Sequence, residues 1–268
     1  MIRIARGPEP TVLPQLRANE CARVRALLLS GKSVSDVVGN AYAVVKSALW
    51  EQQAKRCCYC ERAALECAYN DVEHFRPKAR ADRLNGDVHT GYWWLAWTWE
   101  NLLFCCPSCN RSAKNDAFPL EPGCVPLMAE EQPPSQERPS LIDPCAEDPV
   151  ELIQFVFDGY HWQPVGRNGS SRGQRTVEVL QLGRPELLSL YGDHVRDFVR
   201  PETDGLNEAI AREDAADIER KWRRIVRWLL APRMPFVALS FDAILHLVPE
   251  SDRVRWDLEL PWPPVRGP

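Results

Sequence analysis

This sequence predicts an α+β fold, mostly helical, with a small metal-stapled unit embedded among the helices. Three observations carry that prediction. Two short cysteine knuckles, Cys57 to Cys60 and Cys106 to Cys109, are separated by a long insert; apolar residues recur at helical spacing before and after them; and one alternating stretch turns at Asp158-Gly159 like a hairpin. The 268 residues are 45 % hydrophobic, enough to fill a core. With 26 % charged residues and a formal net charge of -4, neither a disordered chain nor a strongly basic nucleic-acid coat fits, so any contact with nucleic acid falls to local patches.

In chain order, Met1 to Pro10 carries Arg3, Arg6 and Glu9 and no apolar run. The longest apolar stretch, Tyr92 to Trp99, is far shorter than the roughly 20 residues a bilayer demands, so no membrane partner is expected. A helix is expected over Leu13 to Ser30, closed by Gly31. A second is expected over Asp36 to Lys55, where Val37, Val38, Ala41, Val44, Val45, Ala48 and Leu49 share one face and Ser33, Ser35 or Asp36 caps the start. Together they form an N-terminal helical platform, residues 1–55. Gly31-Lys32-Ser33 looks like the end of a phosphate-binding loop, but that motif needs a glycine where Ala26 stands and a strand before it, so no nucleotide site is read there.

Residues 56–120 carry the chemistry. Residues 121–150 form an acidic connector: from Leu120 to Glu151 there are eight acidic residues, one basic residue (Arg138) and seven prolines, which excludes a helix or a central strand. A linker and a partner-docking arm both fit. Residues 151–268 open with the hairpin, Glu151 to Phe157 and Tyr160 to Val165. Helices follow at about Gln174 to Leu182, Pro185 to Val199, Asp204 to Leu230 and Phe236 to Leu247.

Six of the ten cysteines fall in two knots, Cys57-Cys58-Tyr59-Cys60 and Cys105-Cys106-Pro107-Ser108-Cys109. Such pairs of knuckles mark a structural zinc site in a reducing compartment, hence a cytoplasmic protein. Cys57, Cys60, Cys106 and Cys109 give both pairs the same spacing, while Cys58 and Cys105 offer a register shifted by one. About 45 residues separate Cys60 from Cys106, against roughly 15–20 in a plain zinc ribbon, so the insert holds something more. Val72-Glu73-His74-Phe75-Arg76-Pro77-Lys78 sets a carboxylate beside an imidazole. Glu100-Asn101-Leu102 leads into the second knuckle, and Asn110 and Lys114 follow it. A base for water, a carboxylate, an amide and nearby cations are the parts of metal-assisted phosphodiester cleavage.

The order C-x-x-C, E-H-F-R-P-K, W-x-W-E-N-L, C-x-x-C-N and K, with Phe118-Pro119 behind it, resembles an HNH endonuclease with the ββα-metal fold. It is most similar to the PtuB-type HNH proteins of Septu and retron-associated antiphage systems. The resemblance covers Arg56 to Leu120 and, more weakly, Leu141 to Pro144 and Thr176 to Leu190. It implies a zinc-stapled ββα unit among helices, with a helical C-terminal region and one hairpin. His74 would then be the general base. Glu73, or Asp71 in its place, would hold a catalytic Mg²⁺ or Mn²⁺ together with Asn110, and Asn101 would orient the loop of the base. Arg76, Lys78, Arg111 and Lys114 are candidates for phosphate contact. The resemblance further implies DNA as substrate, with RNA or tRNA as the alternative, products with 5′-phosphate and 3′-hydroxyl ends, and a PtuA-type ATPase as partner. A zinc module that binds that partner or nucleic acid without turnover is the rival reading.

Outside the motif, the aromatic run Tyr92 to Trp99 suits core packing better than base stacking. Residues 54–118 carry nine basic against eight acidic side chains, a weak grip on duplex DNA. Help is expected from residues 1–56, with nine basic against four acidic, or from Glu219 to Trp228, which holds Arg220, Lys221, Arg223, Arg224 and Arg227.

Overall fold

A computed structural model describes residues 1–267. Helix α1 (Val12–Leu29) lies within a residue of the expected Leu13 to Ser30. Gly31, at φ +87°, ends it, with Gly31 N–H donating to the Leu28 carbonyl and Lys32 N–H to the Leu27 carbonyl. Gly31-Lys32 is therefore a helix C-cap of the Schellman type. The single helix expected over Asp36 to Lys55 is instead broken into α2 (Val34–Val37), a 3₁₀ turn (Ala41–Val45) and α3 (Lys46–Gln52). Gly39-Asn40 makes the break, since both residues are poor helix formers and nothing packs tightly on Gly39 to compensate.

Strand β1 (Asp71–His74) pairs antiparallel with a distant strand, Leu102–Cys105, in the register Asp71 opposite Cys105 and His74 opposite Leu102. Between them a small ribbon forms from β2 (Ala81–Asp82) and β3 (Val88–His89), which makes Leu102–Cys105 strand β4. Gln53, at the end of α3, covers the free edge of β4 as a strand would: its Nε2 donates to the Phe104 carbonyl and its Oε1 accepts from Phe104 N–H, both at 2.8 Å. A seven-residue π-helical turn, Ser108–Lys114, follows β4. The aromatic run is core: Tyr92, Trp93, Trp94, Trp97 and Trp99 are all buried. Gly91, at φ +81°, begins that run where a Cβ would stand 2.5 Å from the Ala79 carbonyl carbon.

Residues 121–150, read from sequence as a linker or an arm, have no α-helix or strand among them, only the start of a 3₁₀ turn at Pro149–Glu151, but they are not free. Leu127, Leu141 and Ile142 are buried, and the Glu137 carboxylate is fully enclosed. It accepts from Arg76 Nε (2.8 Å), the Tyr92 hydroxyl (2.5 Å) and Leu127 N–H (2.9 Å). The segment's acidic side chains meet arginines elsewhere in the fold: Arg25 on Glu130 and Arg172 on Glu147.

The hairpin forms as predicted, β5 (Ile153–Phe157) with β6 (Trp162–Gly166), turned by Gly159 at φ +98°. The C-terminal helices differ in their breaks. After α4 (Ser171–Val179), α5 (Pro185–His194) runs through a π-helical segment, Val195–Val199, straight into α6 (Arg200–Ala211). Pro201 does not end this helix, because the π segment before it absorbs the missing N–H bond. The helix expected over Asp204 to Leu230 is cut instead at Glu213 (φ +55°), and Asp214 caps α7 (Ala215–Leu229) by accepting from Asp217 N–H. Helix α8 (Val237–Leu247) is buried over its first eight residues. Its Asp242 accepts from Phe155 N–H (2.8 Å) and pairs with Arg167 (2.7 Å), which fastens the hairpin to the helices; the short α9 (Glu250–Arg255) follows. The architecture is α+β with three two-stranded sheets among the described residues.

Candidate active site and metal centre

The two knuckles meet. The Sγ atoms of Cys57, Cys60, Cys106 and Cys109 all lie within 4.8 Å of one another, and all four residues are buried. Tetrahedral zinc at about 2.3 Å from each sulfur sets sulfurs about 3.8 Å apart, and Cys60 to Cys106 is 3.9 Å, so the group fits such an ion. All ten cysteines are free thiols. Cys58 and Cys105 form a second, three-membered group with Cys57, so the equal-spacing set is the one that offers four ligands. The Arg184 guanidinium donates to Cys109 Sγ at 3.4 Å, a cation beside what would be a doubly negative cluster.

The knot hangs β1 and β4 above a cleft of about 410 Å³, whose walls include Asn40, Tyr42 and Lys46, then Asp71, Glu73, His74 and Lys78, and finally Asn110, Arg111 and Asn115. His74 ends β1 and is 5 % exposed. Its Nε2 lies 2.9 Å from the Ala96 carbonyl, which can only accept, so Nε2 carries the proton and Nδ1 is left as the basic nitrogen. Burial, and then the Lys78 ammonium, push the His74 pKa down to about 3, which keeps the imidazole neutral at physiological pH.

Alternation along β1 puts Asp71 and Glu73 on one face. Glu73 is buried, with Oε1 2.7 Å from Lys114 Nζ and 3.2 Å from the Tyr59 hydroxyl. Burial raises its pKa, against the pull of Lys114. Asp71 accepts from Asn110 Nδ2 (3.2 Å) and from both arms of Arg111. Asn101 does not reach the cleft. Its Oδ1 accepts from Arg76 N–H (2.8 Å), and its Nδ2 donates to the Arg76 and Leu95 carbonyls, which clamps the loop two residues beyond His74.

The four cations singled out for phosphate have different surroundings. Arg76 is held by Glu137, Arg111 by Asp71, and Lys114, 1 % exposed, by Glu73 and the His74 carbonyl. Lys78 alone of the four has neither ion pair nor hydrogen bond among the described residues. The basic stretch of α7 is largely neutralised, with Arg220 on Asp217, Arg223 on Glu219 and Arg224 on Glu202.

Over 195 residues, 70 % of its length, the chain is 33 % identical to the Septu protein PtuB of Bacillus mycoides. It is a relative of PtuB. The aligned stretch spans 64 % of PtuB. The chain is also 27 % identical over 145 residues, 53 % of its length, to the Septu protein PtuA of the same organism, across 20 % of that protein. No family model and no solved structure matches. In this PtuB relative no helix among the described residues is long and apolar enough to cross a membrane. What sequence reasoning missed is the cleft wall that lies ahead of the cysteine motif, above all Tyr42 and Lys46. The only signal for it was Gly39-Asn40 interrupting an otherwise helical pattern.

Proposed function

We propose that this chain is a metal-dependent HNH nuclease, acting on DNA as the effector of a defence complex with a PtuA-type ATPase. The observation that carries the reading is the neutral His74, with Nε2–H fixed on a backbone carbonyl, lining a cleft that also holds Asp71, Glu73, Asn110 and Lys78. A base poised in this way accepts a proton from water without first losing one. The β1–β4 pair followed by the Ser108–Lys114 turn supports a ββα-metal unit. The four-thiolate knot would take zinc as a scaffold ion.

Carboxylate and amide oxygens in one open cleft suit a hard cation, and Asp71, Glu73 and Asn110 are the donors present. Asn110 gives its amide N–H to Asp71, which leaves its carbonyl oxygen for an ion. Mg²⁺ or Mn²⁺ held there would offset the charge that develops on the phosphate and the leaving oxygen. His74 takes the proton of the attacking water, and Lys78 faces the phosphate as the cation with free donors. Asn101 keeps the 74–76 loop in place. The PtuA-type partner rests on the likeness to PtuB and on the absence of a phosphate-binding loop in this chain.

Cleavage of plasmid DNA and of total tRNA by the purified chain tests this, with Mg²⁺ or Mn²⁺, with and without the ATPase. The His74→Ala chain is expected to lose at least about 100-fold in rate while it keeps its zinc. Equal cleavage by His74→Ala would sink the mechanism. Consumption of tRNA alone would make the chain an RNase, and no cleavage of either substrate would leave a binding module.

A further inference from the structure

Two side chains of the cleft meet an aromatic ring that lies outside every motif. The Tyr42 ring and the His74 imidazole make a T-shaped pair, with centroids 4.5 Å apart and planes at 89°. The Lys78 ammonium lies over the same ring, 5.2 Å from its centroid. Tyr42 is half-buried, lines the cleft, and its hydroxyl has no hydrogen-bond partner among the described residues, so the ring makes the contacts.

The backbone is organised to deliver that ring. The Gly39-Asn40 break releases the chain from α2 into the turn Ala41–Val45. Four residues after Tyr42, the Lys46 ammonium donates to the Ala68 (3.1 Å) and Asn70 (2.7 Å) carbonyls, which tethers this turn to the start of β1. One end of β1 is thus tied to Lys46, and its other end presents His74 to Tyr42.

We propose that Tyr42 is a positioning residue of the nuclease site, whose ring holds the His74 imidazole against rotation and keeps the Lys78 ammonium over the cleft. The inference rests on the nuclease reading above. A single bond from Nε2 to the Ala96 carbonyl leaves the imidazole free to swing about that bond, and the perpendicular Tyr42 ring packed against it removes this freedom. Lys78 has four rotatable bonds and no anionic partner, and the aromatic face gives it one preferred place. Residues 40–46 are on this account part of the active site, although they precede the first cysteine.

Steady-state cleavage by wild type, Tyr42→Phe, Tyr42→Leu and His74→Ala tests the assignment, in the presence of the PtuA-type partner. Tyr42→Leu is expected to lose about tenfold or more in kcat with KM within about threefold, because orientation and not affinity is lost. Tyr42→Phe keeps the ring and is expected to stay within about twofold of wild type. Zinc content and circular dichroism check folding, and Tyr42→Met, ringless but of similar length, replaces the leucine variant should that misfold. Lys78→Met in the Tyr42→Leu background should cost less than in wild type, since the two act through one contact. An undiminished kcat in Tyr42→Leu, or a loss in Tyr42→Phe as large as in Tyr42→Leu, overturns the proposal while His74→Ala remains inactive. A wild type that cuts nothing overturns the nuclease reading and this proposal with it.

Discussion

The cysteine knot and the cleft both gather side chains of kinds that can hold a metal, yet they are built in opposite ways. The knot takes four soft ligands from two short knuckles, each closed by local chain geometry, and buries them beyond the reach of solvent. The cleft takes hard oxygens and amides from three separate stretches, around residues 40–46, 71–79 and 110–116, and although Glu73 and His74 are buried in its wall, Asp71, Lys78 and Asn110 stay partly exposed. A site that only holds the fold gains from closure, whereas a site that must admit a substrate cannot close. The knot therefore tolerates almost no change, and the cleft should tolerate change in proportion to each residue's distance from His74.

The largest expected effect is at the knot. Cys109→Ser should release zinc and unfold residues 56–120, seen as lost metal content and lost near-ultraviolet dichroism, because binding of structural zinc is itself folding free energy. A Cys109→Ser chain that retains metal and fold would move the ligand set to the three-membered Cys57, Cys58 and Cys105 group. Next is the enclosed pair that ties residues 121–150 to the cleft. Glu137→Ala leaves Arg76 buried without its partner and should cost about 3–5 kcal/mol in urea unfolding. A loss below about 1 kcal/mol would make that segment a loose linker after all.

A smaller effect belongs to the C-terminal helices, where His194 is buried with Nε2 2.8 Å from the Ser240 hydroxyl and burial pushes its pKa down to about 4. The unfolded chain holds that proton from about pH 6.5 downward, so stability falls by up to about 1.4 kcal/mol per pH unit between 6.5 and 4. His194→Gln should reduce, not abolish, the pH dependence of the urea midpoint over that range, since His74, pushed down to about 3, contributes a like share. An unchanged slope would assign the acid sensitivity elsewhere. The smallest effect is expected on the exposed face of α7: Arg223→Ala, which removes an ion pair with Glu219, should change stability by less than about 0.5 kcal/mol, checked by thermal melts.

The hairpin was legible because Asp158-Gly159 is a turn signal flanked by alternation. Helix existence was legible from spacing, but helix breaks were not. Gly39-Asn40 broke an apparent helix, Glu213-Asp214 split another, and Pro201 failed to end one. Each is set by local chain features, a poor helix former, a capping carboxylate or a π segment, which apolar periodicity does not record. Residues 121–150 misled differently, since their acidic side chains and prolines read as a linker or an arm until Arg25, Arg76 and Arg172 are seen to meet the acids.

The sequence by itself determined the two cysteine knuckles, the carboxylate-imidazole pair and the likeness to PtuB, because spacing over a few residues fixes which side chains share a chemistry, while the structure decided that Cys57, Cys60, Cys106 and Cys109 are the four that converge. Only the tertiary structure decided which cations remain free and which aromatic ring faces His74. Arg76, Lys78, Arg111 and Lys114 are alike as letters. They differ because Glu137, Asp71 and Glu73 come to three of them from elsewhere in the fold, and Tyr42 comes to the fourth.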